Sequence, residues 1–116
     1  MDGGISQELF MSKYKSIKET VDGITFASRK EARRYRQLKL MERAKAIQNL
    51  EMQVAFPLIK KSEYGREIKY IADFTYYEDG HLVVEDVKSK ATVTPVYKIK
   101  RRLMQEIYGI TIKEVY

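Results

Sequence analysis

Asp73, Glu85, Asp86 and Lys88 stand inside "YIADFTYYEDGHLVVEDVKSK" (residues 70–90), the most strand-like stretch of a 116-residue chain. Strands favour β-branched and aromatic residues, so four charges in such a segment ask for a chemical reason. Asp79-Gly80 is a strong signal for a two-residue type I′ hairpin turn. With those two as the loop, Glu78 faces His81 and Thr75 faces Val84. The same count sets Asp73 directly opposite Asp86, on one face, with Cβ atoms roughly 4.5 to 5.5 Å apart. Lys88 shares the parity of Asp86 and joins that face, while Glu85 points the other way. Opposed like charges repel. Protonation of one acid, a bridging cation or full solvation would relieve them. A hard divalent ion, Mg²⁺ foremost, takes oxygen ligands of this kind and lets both acids ionise. Such an ion orients a water and phosphate oxygens. Lys88 would then either stabilise charge developing on phosphorus or help activate the attacking water.

A helix is predicted to open at Ser28, an N-cap residue type with Glu31 at the capping-box spacing. Ala32, Tyr35, Leu38 and Met41 recur at helical spacing through about residue 45. Glu31 lies on the face of Tyr35 and Leu38, so it either caps the helix or completes a metal shell with Asp73 and Asp86. Before this helix, a Val-Asp-Gly turn leads into a short β-like piece at 24–27. Beyond it, "LEMQVAFPL" (50–58) reads as a strand limited, or placed near an edge, by Pro57. The hairpin strands follow at 67–77 and 81–88. Thr94-Pro95 supplies the cap and first residue of a second helix, and Gly109 its stop. Val96, Ile99, Leu103 and Ile107 form its apolar stripe. "ITIKEVY" closes the chain as a strand, which a crossover helix of this length lays parallel to the third. The predicted fold is α/β: an αβββαβ core with a mixed four-stranded sheet and a helix on each face.

The net charge is +6, and the excess is uneven. Residues 29–45 hold eight Lys/Arg against two Glu, which points to a polyanion, nucleic acid before an anionic membrane surface. Arg29, Lys30 and Arg33 in the first helix, with Lys90, Lys98, Arg101 and Arg102 around the start of the second, are the expected phosphate contacts. The N-terminus of that second helix itself favours anions. Among the tyrosines, Tyr76, Tyr77 and Tyr97 are candidates for stacking on unpaired bases. Zero cysteines exclude disulfides, thiolate zinc sites and thiol nucleophiles. No apolar run approaches the roughly 18 to 20 residues that span a bilayer. The opening residues show no secretory signal, so a cytoplasmic location is expected. His81 reads as a solvated turn residue, and Gln53 as a strand residue within reach of the site.

Asp73, twelve residues of hairpin and then Asp86-Val87-Lys88 resemble the D…(D/E)-x-K signature of the PD-(D/E)XK nuclease superfamily. The αβββαβ order resembles its restriction-endonuclease-like core. Glu31 matches the extra helical acid of many members, Holliday junction resolvases included. "ITFASRKEARRY", "YIADFTYYEDGHLVVEDVKS" and "YKIKRRLMQEIYGI" resemble a branch of small phage-encoded proteins once of unknown function. The resemblance covers about residues 24–115, and it departs at Ala72, where the superfamily's name has Pro. It implies Asp73 and Asp86 as metal ligands, Glu31 as an accessory ligand and Lys88 as the catalytic lysine. A β-bulge would hand the ligand role to Glu85 instead of Asp86.

The implied activity is Mg²⁺-dependent hydrolysis of DNA phosphodiester bonds, with Mn²⁺ as a substitute. Branched DNA such as a Holliday junction suits so small a chain, because little sequence remains for a base-reading domain. Symmetric cleavage of a junction calls for a homodimer. Residues 1–23 are expected to form an N-terminal extension, partly disordered or a short helix, and residues 24–116 the nuclease-like domain. The rival expectation is a basic module that binds nucleic acid without cutting it. A structural or regulatory phage protein with an acidic partner is a third.

Overall fold

A computed structural model of the chain describes residues 17–116. The expectations for residues 1–16 lie outside the described residues. Compactness divides the chain after Gln37 into two units, within the first long helix.

The first unit is a hairpin and the opening half of that helix. β1 (Glu19–Val21) pairs antiparallel with β2 (Ile24–Phe26). Asp22 and Gly23 turn the chain between them with φ of 52° and 76°, the left-handed pair that a type I′ turn needs. β1 therefore lies inside the segment expected as an unstructured or helical extension. The local Asp-Gly chemistry had marked the turn, but the strand before it is too short and polar to announce itself. α1 (Arg29–Arg43) starts as predicted, with the Ser28 hydroxyl accepting the Glu31 N–H at 3.1 Å. Within the unit, Tyr35 donates to Asp22 at 3.2 Å and packs its ring 5.0 Å from that of Phe26. Arg36 reaches Glu19 at 2.5 Å.

The second unit holds a four-stranded mixed sheet. β3 (Gln48–Ile59), β4 (Ile68–Glu78) and β5 (His81–Val87) run antiparallel, and β6 (Lys113–Val115) lies parallel to β5, in the order β3-β4-β5-β6. Pro57 sits on the edge strand, where its missing N–H leaves no ladder bond unmade. Asp79 and Gly80 form the two-residue turn, with φ of 51° and 78°. The end of α1 is tied to β3 through Glu42, which accepts the Leu50 N–H at 3.0 Å and binds Lys39 at 3.1 Å.

α2 (Pro95–Tyr108) is the crossover between the parallel pair. The Thr94 hydroxyl caps it by accepting the Tyr97 N–H at 3.1 Å, and Gly109 stops it at φ 66°. It packs on one face of the sheet, burying Tyr97 and Met104 against Tyr70, Ala72, Val84 and Ile112. The expected stripe is therefore corrected. Val96, Ile99 and Ile107 are exposed, and Leu103 is half-buried. The helix carries two apolar rows roughly 100° apart. The row facing the sheet is the one whose tyrosine finds a hydroxyl partner there, Glu114 at 2.6 Å.

The architecture is thus a mixed α/β protein with a four-stranded mixed sheet and two helices, compatible with a restriction-endonuclease-like core. Among the described residues no helix is long and apolar enough to cross a membrane.

Candidate functional site

The hairpin register is the one counted from the turn, from Glu78↔His81 to Phe74↔Glu85. There the ladder stops. Asp73 and Asp86 are not a paired rung; Asp73 instead turns its carboxylate to the backbone, accepting the Val87 N–H at 2.8 Å. The alternation of β4 breaks at this residue. Tyr70 and Ala72 belong to the core on the α2 side together with Val84, yet Phe74 is paired with Glu85, whose side chain lies on the opposite face. β3 distorts at the same level. Gln53 falls between the pairs Met52↔Phe74 and Val54↔Ala72 and takes a left-handed φ of 53°. An undistorted strand would leave Tyr70 on the wrong face. The break lets its hydroxyl donate to Asp86 at 2.7 Å.

Asp86 and Lys88 are brought together as their shared parity predicts. They are 6% and 8% exposed, with Lys88 Nζ 3.5 Å from Asp86 Oδ1. The same ammonium lies 3.6 Å from the centroid of the Tyr97 ring and donates to the Thr92 carbonyl at 3.4 Å. A cation over an aromatic face is attracted by the ring quadrupole, more so when desolvated. Tyr97 is itself anchored, since Glu114 accepts its hydroxyl and takes Arg101 at 2.6 Å. An open cleft of about 310 Å³ runs past Tyr70, Asp86, Lys88, Thr94, Tyr97 and Lys100.

Electrostatics follow from these contacts. Burial raises the Tyr70 hydroxyl far above the ordinary tyrosine range, and the hydrogen bond to Asp86 and the charges of Asp86 and Asp73 add to it. Tyr70 is therefore a fixed donor, close enough to both acids to feel them. Burial likewise raises Tyr97, helped by Glu114. Glu114 is held below the usual carboxylate range, first by the Tyr97 hydroxyl and then by Arg101.

Glu85, the alternative ligand, is fully buried on the other face, where it accepts from the Tyr76 hydroxyl and lies 3.9 Å from Lys113. Of the adjacent acids, Asp86 lines the cleft. Glu31 lies in the first unit, in the opening turn of α1. Among the described residues no three His, Cys, Asp or Glu side chains converge closely enough to hold one ion. Asp73 spends one of its oxygens on the β5 backbone.

Of the expected phosphate contacts, Lys90, Lys98 and Arg102 are exposed, and the latter two line a second groove of about 520 Å³ beside Gln105 and Thr111. Arg101 is committed to Glu114, so its guanidinium is not a free grip. In the first unit Arg33 is exposed, Lys30 is half-buried, and Arg29 is exposed while 3.9 Å from Glu19. Tyr76 and Tyr97 are buried and unavailable for base stacking, whereas Tyr77 remains exposed. His81 is exposed at the turn.

Sequence reasoning missed Tyr70 as a partner of Asp86 and Tyr97 as the platform under Lys88. Tyr70 carries no usable signal, since regular alternation sets it against Asp86. Tyr97 carries a weak one, as an aromatic one turn inside the capped start of a helix that follows the lysine strand.

A family model described as "Protein of unknown function (DUF1064)" matches residues 11–114. The chain belongs to this family. Like other sequences that the DUF1064 model describes, it carries no activity by virtue of membership alone. No curated protein and no solved structure matches it.

Proposed function

We propose that this DUF1064 chain is a metal-dependent endodeoxyribonuclease of the PD-(D/E)XK type, acting on branched DNA such as a four-way junction. The observation that carries the reading is the Asp86–Lys88 pair, 3.5 Å apart at the wall of an open cleft, with Asp73 at the strand distortion beside it.

The donor set suits the ion. Asp73 and Asp86 offer oxygen only, and Mg²⁺ is commonly held by one or two carboxylates with water completing its shell. Bound by these two aspartates, it would lower the pKa of a water and draw charge from the phosphate oxygens. The chain's own residues do the rest. Tyr70 fixes the orientation of Asp86 through its hydroxyl. Tyr97 and the Thr92 carbonyl hold the Lys88 ammonium at the cleft, where it offsets negative charge that builds on the phosphate as the P–O bond breaks. Lys90, Lys98 and Lys100 supply positive charge along the approach, with Arg29, Lys30 and Arg33 as further contacts from the first unit.

The test is cleavage of supercoiled plasmid and of a four-way junction with Mg²⁺, Mn²⁺ or EDTA, using wild type and Asp86→Ala. Cleavage should fall by orders of magnitude with EDTA or the substitution, while DNA binding persists. One observation favours a second reading, a basic module that binds without cutting: both Asp86 oxygens are already engaged, by Tyr70 and Lys88. That module would shift DNA in a steeply salt-dependent way, cut nothing and ignore the metal.

A further inference from the structure

The cleft that holds Asp86 and Lys88 lies along one flank of α2, and the groove of about 520 Å³ lies along the other. The helical period separates them. At roughly 100° per residue, Val96 and Lys100 fall on the cleft side, whereas Lys98, Arg102 and Gln105 fall on the groove side. Tyr97 and Met104 point between them into the core. α2 is thus a ridge with a recess on each side.

The groove carries positive charge that nothing in the fold offsets. Its acid, Glu114, is already matched, accepting from Tyr97 and Arg101 at 2.6 Å each and from Tyr116 at 3.3 Å. Glu106, the one acid of α2, falls on the crest of the ridge and not in the groove. Lys98 and Arg102 are exposed, and no ion pair to either is present among the described residues. They are four residues apart, about 6 Å along the helix, close to one phosphate-to-phosphate step of an extended strand. On the facing wall Thr111 accepts from Gln105 at 3.1 Å, which leaves its own O–H as a donor. Free cations at that spacing, with a hydroxyl opposite, suit a sugar–phosphate backbone. The crest differs. Pro95 and Ile99 are exposed there, and neither side chain can hydrogen-bond a base edge. A helix with its side chains is about 10 to 12 Å across, so strands lying in the two recesses are held apart by that width.

We propose that the groove between α2 and β6 holds the backbone of a second, uncut DNA strand, so that α2 stands where a duplex opens into two single strands. The inference rests on the nuclease reading for which strand is cut, and it names the substrate as a fork. Lys100 grips the strand in the cleft; Lys98 and Arg102 grip its former complement.

Fluorescence anisotropy of the full chain in EDTA, where nothing is cut, tests the groove separately from the activity. The probes are a splayed duplex with two single-stranded arms, the same duplex with either arm removed, and the blunt duplex. Wild type should bind the two-armed fork most tightly and lose affinity severalfold when either arm is removed. The double variant Lys98→Gln, Arg102→Gln should bind that fork no better than wild type binds a one-armed probe. Removing the arm that occupies the groove should cost the variant nothing further. Its salt slope on the fork should be smaller by about 1.4, the share of two single-strand phosphate contacts. Its circular dichroism spectrum and melting temperature should be unchanged, since both side chains are exposed. A wild type that holds blunt duplex as tightly as the fork overturns the proposal. So does a variant weakened equally on every probe, the mark of diffuse attraction. Arm-dependent binding without cleavage in Mg²⁺ overturns the nuclease reading alone, and cleavage without arm dependence overturns this one alone.

Discussion

Lys88 is held by three different kinds of contact: a carboxylate, a carbonyl and an aromatic face. Tyr97 supplies the last and can be altered in two ways. Tyr97→Phe keeps the ring under the ammonium and loses only the hydroxyl that Glu114 accepts, which should cost about 1 kcal/mol of stability. Tyr97→Leu also removes the face, adding about 0.5 to 2 kcal/mol for a cation–π contact at a shielded site. Urea denaturation of both variants measures the difference. If Lys88 acts from this position, Tyr97→Phe should cleave nearly as wild type and Tyr97→Leu should not. The Asp86–Lys88 contact was legible in the sequence because residues two apart in a strand share a face. Tyr70 was not, because its approach to Asp86 depends on a break in alternation that β3 and β4 make together.

Elements end where the chain turns left-handed. At Gly109, φ is 66° and a Cβ would meet nothing within 4 Å. Gly109→Ala therefore carries a conformational cost without a clash, about 1 kcal/mol, and Gly109→Asn should cost less. Thr94→Ala at the other end of α2 removes the acceptor for Tyr97 N–H and should cost about 1 kcal/mol as well. Thermal melts of the three variants check both ends of one helix. These boundaries were readable from Thr-Pro and Gly, since cap chemistry is local. The face that α2 buries was not readable. Two apolar rows satisfied the helical period, and only the sheet, with Glu114 waiting on β6, chose between them.

Across the second unit, two carboxylates tie helices to strands: Glu42 joins the end of α1 to β3, and Glu114 joins β6 to α2. Both are lowered from an ordinary value of 4.5, Glu42 first by the Leu50 N–H and then by Lys39, Glu114 first by the Tyr97 hydroxyl. A carboxyl lowered on folding adds stability that is present above its unfolded value. That stability disappears as pH falls through the folded one. The advantage of wild type over Glu114→Gln in denaturant midpoint should thus be full at pH 7 and shrink steadily below about 4.5. A gap that stays constant with pH would rule out this linkage. The basic excess belongs to the same scale. DNA affinity should decline steeply with salt, in proportion to the phosphates contacted.

Local chemistry determined the turns, the caps, the order of strands and helices, and the parity that unites Asp86 with Lys88, because each depends on neighbours within a few residues. Tertiary structure decided the rest. It broke β4 at Asp73, withdrew one of that residue's oxygens to the backbone, turned Tyr97 inward and left the aliphatic row of α2 outside. Those outcomes follow from which surfaces meet across the sheet, and surfaces that meet are far apart in the chain.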